Sequence, residues 1–178
     1  MSRLMVPVGP NDHIRGKQDA PVTLLEYGDY ECPHCATAHA VVLRVLRDTR
    51  DIARFAFRNF PIAEVHPRAI LAAQAAEAAG AQDRFWPMHD MLFENQDALE
   101  LDDLLAYADA LDLDVVRFAR ELEAGVHLER VRADVRSGAR SGVNGTPTFF
   151  VDEVRFDAEP TVDNLTAAML LAAQRRAG

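Results

Sequence analysis

The spacing of apolar residues predicts a strand, a helix and a second strand in the first third of the chain. Residues 22–27 form a nearly continuous apolar run, as expected of a buried strand. In residues 33–49 the apolar side chains recur every three or four positions, which is typical of a helix with one buried face. Residues 52–57 alternate between apolar and polar, so that Phe57 lies on one face and Arg58 follows on the other. We therefore expect two parallel strands joined by a right-handed crossover.

The pattern becomes helical from residue 62 to about residue 142. Apolar residues at helical spacing, with glycines near several of the ends, indicate five successive helices. They are expected at residues 67–79, 85–95, 101–108, 115–122 and 128–135. Because no strand pattern interrupts them, these helices should form one insertion that packs on the sheet.

The two ends of the chain contribute smaller elements. Alternation returns at residues 148–151 and 154–156, with a turn between them, which predicts an antiparallel hairpin. A terminal helix is expected around residues 165–172. Near the start, residues 4–8 are predicted as a short edge strand and residues 11–19 as a loop.

Together these elements predict an α/β fold with an inserted all-helical domain. Residues 1–61 and 143–178 would form the domain that contains the sheet, and residues 62–142 would form the insertion. The chain has 178 residues, of which 49% are hydrophobic, enough to build a proper core.

The chemistry of the chain is concentrated where the first strand meets the first helix. The only two cysteines lie in the sequence Cys32-Pro33-His34-Cys35. Cys32 is expected at the helix N-cap, with Pro33 at the first helical position, where a missing N–H costs nothing. Free N–H groups and the positive end of the helix dipole would then favour the Cys32 thiolate. His34 would add to this when protonated, and Cys35 should face inward as a resolving thiol.

Three carboxylates close to the motif should oppose this effect. Glu26, Asp29 and Glu31 all precede Cys32 by six residues or fewer. Because nearby negative charge raises the pKa of a thiol, we expect a thiolate that is less stabilised than in a strongly oxidising relative.

Charge and cysteine content narrow the possible functions. The net charge of −9 argues against binding to nucleic acid or to an anionic membrane surface. The first ten residues lack the pattern of a signal peptide, and no apolar stretch is long enough to span a bilayer. The expectation is a cytoplasmic monomer. A pair of neighbouring cysteines in such a chain indicates redox chemistry or half of a metal site.

Several features together resemble a known family. These are Glu26 six residues before Cys32, the cysteine motif itself, the helical insertion, and the sequence Gly-Thr-Pro-Thr-Phe at residues 145–149. The arrangement resembles the thioredoxin fold and, more narrowly, its DsbA-like branch, in which a helical domain is inserted. Residues 58–61 and 85–90 are also similar to cytosolic members of that branch.

The resemblance implies roles for residues outside the cysteine motif. A proline matching Pro147 is cis in the family and lies against the redox cysteines. The residue before it, here Thr146, offers its backbone to an extended substrate. A buried acid matching Glu26 helps to move the proton of the resolving cysteine, here Cys35.

The expected function is that of a thiol–disulfide oxidoreductase that exchanges disulfides with protein or peptide thiols. It would need a recycling redox partner and no cofactor or metal beyond the Cys32–Cys35 disulfide. One alternative is a non-catalytic redox-sensing or partner-binding module of the same fold. A weaker one is a zinc site on the two cysteines, for which the nearby candidates are His34, His39 and His66.

The remaining histidines are expected to have no part in this chemistry. His39, His66, His89 and His127 are interpreted as surface residues or as packing residues whose hydrogen bonds are satisfied.

Overall fold

The computed structural model describes residues 3–177 and contains a five-stranded mixed sheet. Its strands are β1 His13–Arg15, β2 Val22–Gly28, β3 Ala53–Asn59, β4 Thr148–Val151 and β5 Val154–Phe156. The spatial order is β1-β3-β2-β4-β5. Strands β2 and β3 are parallel, and the other neighbours are antiparallel. The predicted parallel pair and the predicted hairpin are therefore both confirmed.

Both faces of the two central strands are covered. All seven residues of β2 are buried, including Glu26. In β3, Phe57 and Arg58 point to opposite faces as their alternation predicts, yet both are buried. The Arg58 guanidinium donates to both carboxylate oxygens of Asp12, at 2.7 and 2.9 Å. This paired arrangement satisfies a charge that would otherwise be costly to bury.

The predicted structure of the N-terminal segment is wrong. The edge strand is not at residues 4–8; it is β1, within the stretch predicted as a loop. The polar side chains that suggested a loop have partners on distant helices. His13 contacts Glu77 at 2.9 Å and stacks on Phe85, while Arg15 donates to Asp90 at 2.6 Å. Only the tertiary structure turns these residues into a strand.

Seven helices complete the described chain. They are α1 Pro33–Asp48, α2 Ala69–Gly80, α3 Phe85–Glu94, α4 Leu101–Ala110, α5 Val115–Glu123, α6 Leu128–Arg140 and α7 Val162–Ala177. All of α2 to α6 lie between β3 and β4 in the chain, as the periodicity predicts. The division into two domains stays a prediction. Of the helices between residues 3 and 177, none combines the length and the apolar character needed to cross a membrane.

Gly28, at the end of β2, has no room for a side chain, so a substitution there tests how the sheet is packed. A Cβ at Gly28 would lie 2.5 Å from Cε2 of Phe57. We expect Gly28→Ala to lower the free energy of unfolding by about 1–3 kcal/mol, because the buried ring must move. Gly9→Ala is the control, since a Cβ at Gly9 meets nothing within 4 Å. Urea unfolding of both variants measures the difference, and equal stabilities would contradict the packing described.

Candidate active site

The first turn of α1 surrounds the sulfur of Cys32 with donors. Cys32 is the N-cap residue, with φ −76° and ψ 120°, and Pro33 is the first residue of the helix. The backbone groups of His34 and Cys35 help to lower the pKa of the Cys32 thiol, as expected for a sulfur at the start of a helix. The Cys35 N–H also donates to the carbonyl oxygen of Cys32, at 3.0 Å. The predicted N-terminal position of Cys32 is confirmed.

The two thiols differ sharply in their environment and in their acidity. Cys32 is 4% exposed and Cys35 is fully buried, and neither is in a disulfide. The hydrogen bond from the Cys35 thiol, which outweighs partial burial, lowers the pKa of Cys32 to about 5, with help from Thr146 and the two backbone groups. Burial, followed by that same hydrogen bond, raises the pKa of Cys35 far above its ordinary value. At neutral pH one sulfur is a thiolate and the other a thiol.

His34 and Pro33 occupy the exposed surface of the same turn. The backbone of His34 helps to lower the pKa of the Cys32 thiol, and its side chain lies at the surface. The predicted contribution of the His34 imidazole to the thiolate stays a prediction.

Glu26 is a buried acid whose charge influences, and is influenced by, the cysteine pair. It lies in β2 with 1% exposure, and its Oε1 has no hydrogen-bond partner. Burial, and then the charge on Cys32, raises the pKa of Glu26 to about 8. The charge of Glu26 also contributes to the raised pKa of Cys35. Glu26 is therefore mostly protonated at neutral pH, and its predicted role in moving the proton of Cys35 stays a prediction.

The loop before β4 closes the site from the other side. The Thr146–Pro147 peptide bond is cis. The Cys32 sulfur lies 3.5 Å from the carbonyl oxygen of Thr146, to which it donates when it is protonated. Because β4 pairs with β2, with Thr148 opposite Tyr27, this loop is held beside the start of α1. The structure thus brings Thr146 and Pro147 to the cysteines, while their part in substrate binding stays a prediction.

The carboxylates that should destabilise the thiolate are engaged by other groups. Asp29 is buried and accepts hydrogen bonds from the N–H groups of Glu31 and Ile62, at 2.9 and 2.8 Å. It also contacts Nδ1 of His66 at 2.8 Å. Glu31 pairs with Arg68 at 2.9 Å. Their negative charge is balanced locally, which explains why neither is a main influence on the pKa of Cys32.

His66 is one of two residues near the site that the sequence did not reveal. Partial burial alone would lower the pKa of His66, but its hydrogen bond to Asp29 and the charges of Asp29 and Cys32 raise it. The contact with Asp29 agrees with the interpretation of His66 as a packing residue whose hydrogen bonds are satisfied, although the sequence did not identify the partner. That partner lies 37 residues away in the chain, so no local pattern could have identified it.

Gln96 is the second of these residues. Its side-chain amide donates to the carbonyl oxygens of Tyr30 and Cys32, at 2.8 and 2.9 Å. It thereby fastens the turn that carries Cys32 to the segment after α3. The sequence carries no signal for this contact, which spans 64 residues.

Among the described residues, no group with the spacing of metal ligands contains Cys32 or Cys35. Within residues 3–177, the group with the spacing of metal ligands consists of His39, His89 and Asp90, and it includes neither cysteine.

Comparison with known proteins places this site in a family. A family model described as Thioredoxin matches residues 9–169, nearly the whole chain. The chain belongs to the thioredoxin family. Solved structures agree with this assignment: BdbD from Bacillus subtilis superposes with a TM-score of 0.85 and 24% identity, covering 94% of this chain and 96% of that one. The predicted thioredoxin-like fold is thereby confirmed.

Two further structures support the narrower resemblance. A thioredoxin-like oxidoreductase from Silicibacter pomeroyi has a TM-score of 0.82 and 26% identity, with 94% of each chain covered. The α-DsbA1 of Wolbachia pipientis has a TM-score of 0.82 and 21% identity, covering 97% of this chain and 95% of that one. In its fold, this thioredoxin-family chain therefore resembles a structure of the DsbA-like branch, as predicted.

Curated relatives of higher identity carry a different name. The Na(+)/H(+) antiporter NhaA 1 of Salinispora arenicola is 47% identical over 95% of this chain. The antiporter NhaA of Herminiimonas arsenicoxydans is 42% identical over 96% of it. The chain spans only about a quarter of the length of these relatives, 26% and 27%. The part of this chain that matches these relatives overlaps the segment that matches the thioredoxin family, residues 9–169.

The acidity of Cys32 can be measured by alkylation. In the reduced protein, the rate of reaction with iodoacetamide should rise with pH around a midpoint of about 5, since the thiolate is the reactive form. Cys35→Ala should raise that midpoint because it removes the largest stabilising hydrogen bond. A midpoint near the free value of about 8.5 in the unaltered protein would contradict this geometry.

Glu26 should make stability depend on pH. Its pKa is about 8 when folded against an ordinary value of 4.5, so between these pH values the folded protein holds a proton that the unfolded chain has released. Ionisation of Glu26 therefore destabilises the fold as pH rises, by at most about 1.4 kcal/mol per pH unit. Glu26→Gln should gain stability relative to the unaltered protein across this window. Denaturant unfolding from pH 4.5 to 8 tests this, and a pH-independent difference would contradict it.

Proposed function

We propose that this protein is a thiol–disulfide oxidoreductase that exchanges disulfides with protein or peptide thiols through Cys32 and Cys35. The proposal is carried by one observation, the placement of Cys32 at the N-cap of α1 with Cys35 buried on the first turn and the Thr146 carbonyl 3.5 Å from the Cys32 sulfur. The opposite pKa shifts of the two thiols agree with it. A thiolate at pH 7 is a nucleophile and a good leaving group, whereas a buried thiol does not react until it loses its proton.

In the reducing direction, the Cys32 thiolate attacks one sulfur of a substrate disulfide. A bond forms between Cys32 and that sulfur, and the other substrate sulfur leaves as a thiolate. The mixed disulfide carries no charge on Cys32. Loss of the Cys32 charge removes one of the two influences that raise the pKa of Glu26, and Glu26 releases its proton to solvent. Cys35 then transfers its proton to the ionised Glu26 carboxylate and attacks the Cys32 sulfur, which releases the second substrate thiolate. The enzyme pair is oxidised by two electrons and the substrate disulfide is reduced.

The oxidising direction is the reverse. A substrate thiolate attacks Cys32 in the Cys32–Cys35 disulfide, and Cys35 departs with the electron pair. Protonated Glu26 supplies a proton to the departing sulfur, since the pKa of the Cys35 thiol is far higher than its own. A second substrate thiolate completes the exchange and releases the Cys32 thiolate.

Substrate would bind along the loop at Thr146 and Pro147. Both residues are half-buried, and the Thr146 carbonyl lies 3.5 Å from the Cys32 sulfur. Main-chain hydrogen bonds from this loop would place an extended substrate segment across the sulfur without requiring a particular side chain. Such binding suits protein substrates of varied sequence.

The pKa of Cys32 bears on the direction of electron flow. A value of about 5 lies between those of thioredoxin and DsbA, roughly 7 and 3.5. We propose a potential between theirs, about −270 and −120 mV. At a cytosolic poise of roughly −220 to −320 mV the pair would be kept mostly reduced. In the cytoplasmic location that the sequence predicts, the protein would then act as a reductase or isomerase, recycled by a cellular thiol system.

One observation favours a second candidate, the non-catalytic redox-sensing module. Relatives of up to 47% identity are named sodium/proton antiporters and contain this segment as about a quarter of their length. The segment would then couple the oxidation state of Cys32 and Cys35 to a membrane transporter. A Cys32 pKa near the free value, together with a lack of turnover, would favour this role over catalysis.

Insulin reduction by dithiothreitol tests the catalytic proposal. We expect Cys32→Ser to lower the rate to the uncatalysed level, because no nucleophile remains. Cys35→Ser should accumulate a mixed disulfide with substrate, visible by non-reducing electrophoresis, since the resolving thiol is missing. His127→Gln is the control, because His127 pairs with Glu121 away from the site. Undiminished activity of Cys32→Ser would exclude the mechanism.

A further inference from the structure

A second cluster of chemically capable side chains lies between α1 and α3, apart from the thiols. His39 is one helical turn beyond Cys35 on α1, and His89 and Asp90 are neighbours on α3. One ligand atom from each of the three residues lies within 4.8 Å of the others. His39 Nε2 and Asp90 Oδ1 are only 3.5 Å apart. Two imidazoles and one carboxylate thus offer ligand atoms within one small region.

Each member of this cluster has a buried polar atom with no hydrogen-bond partner. These atoms are His39 Nε2, His89 Nε2 and Asp90 Oδ1. The residues His39 and His89 are 6% and 1% exposed. Buried polar atoms are nearly always paired because an unpaired one costs stability. Three residues with such atoms in one small cluster indicate that a polar group or an ion belongs there.

The opposite sides of the same groups are held by a second layer. The Tyr30 hydroxyl bonds to His89 Nδ1 at 2.9 Å, which leaves Nε2 free. Arg15 donates to Asp90 Oδ2 at 2.6 Å, which leaves Oδ1 free. Partners of this kind fix the tautomer and the orientation of metal-binding residues.

Charge and protonation also suit a cation. Burial lowers the pKa of both His39 and His89, so both imidazoles are neutral at pH 7 and keep a lone pair. Asp90 supplies one negative charge, and Glu94 is close enough to act on His39. Arg15 is the opposing charge, and it is engaged by Asp90.

We infer that His39, His89 and Asp90 form a binding site for one divalent transition-metal ion, with Zn²⁺ the best match. Two imidazoles and a carboxylate are common zinc ligands, which bind at about 2.0–2.2 Å. The side chain of Asp90 is 32% exposed, so the cluster lies close to the surface. The ion would join α1 to α3 and, through Tyr30, hold the turn before Cys32.

Zinc binding should be measured on the full chain carrying Cys32→Ser and Cys35→Ser, so that no thiolate can bind the metal. After treatment with a chelator, titration with Zn²⁺ should show one equivalent bound and a higher unfolding temperature. Co²⁺ should give absorption bands of a nitrogen and oxygen site without sulfur charge transfer. A chain that binds no metal overturns the inference and leaves a buried water as the occupant.

Variants in the same background locate the ion. His39→Gln and the nearly isosteric Asp90→Asn should each abolish the bound equivalent or raise its dissociation constant at least ten-fold. Tyr30→Phe should weaken binding by about 10–100-fold through the second layer alone. His13→Gln and His127→Gln are matched controls, since each removes a histidine paired with a carboxylate elsewhere. Full binding by both His39→Gln and Asp90→Asn would overturn the assignment, as would loss of binding in either control.

The unfolding temperature without metal separates binding from folding. If Asp90→Asn keeps the metal-free unfolding temperature yet loses the zinc-dependent rise, the site is supported whatever the fate of His39→Gln. If Asp90→Asn keeps the zinc-dependent rise in unfolding temperature, the site is excluded. Because none of these measurements uses thiol exchange, their outcome is independent of the proposed function.

Discussion

The hydrogen bonds that converge on the Cys32 sulfur are the interaction on which the chemistry of this molecule depends. They exist because a buried strand ends directly before a helix, so that Cys32 becomes the cap and meets free N–H groups. The same helix places Cys35 one turn further on, where its thiol can donate to the first sulfur. Without this junction, two cysteines three positions apart would be ordinary thiols. The sheet holds the junction in place, and the helices bury it.

Burial acts with opposite results on neighbouring groups in this site. It raises the pKa of Glu26 and of Cys35, because each would have to carry a charge with few partners. At Cys32 donors outweigh burial, and the pKa falls. Of these three groups, Cys32 therefore carries a negative charge at neutral pH, whereas Glu26 and Cys35 keep their protons. This separation allows one small region to supply both a nucleophile and a proton store.

The sequence predicted the parts of the site that are set by local pattern. The cysteine motif and the switch from strand to helical period were sufficient to place Cys32 at the N-cap. The position of Thr146 beside it, 114 residues later, was available only through resemblance to a family. The contacts of His66 and Gln96 and the position of strand β1 were not predicted, because the partners are polar and distant in the chain. Apolar periodicity does not encode such pairings.

Strand β1 has a consequence for the order in which the molecule assembles. Its backbone pairs with β3, but its side chains bind to helices: His13 to Glu77, and Arg15 to Asp90. Trp86 also donates from α3 to the carbonyl oxygen of Ile14. These partners lie more than sixty residues further along the chain, so the side-chain contacts of β1 can form only after that part of the chain has been synthesised. Strand β1 thus ties the edge of the sheet to α2 and α3 in the finished fold.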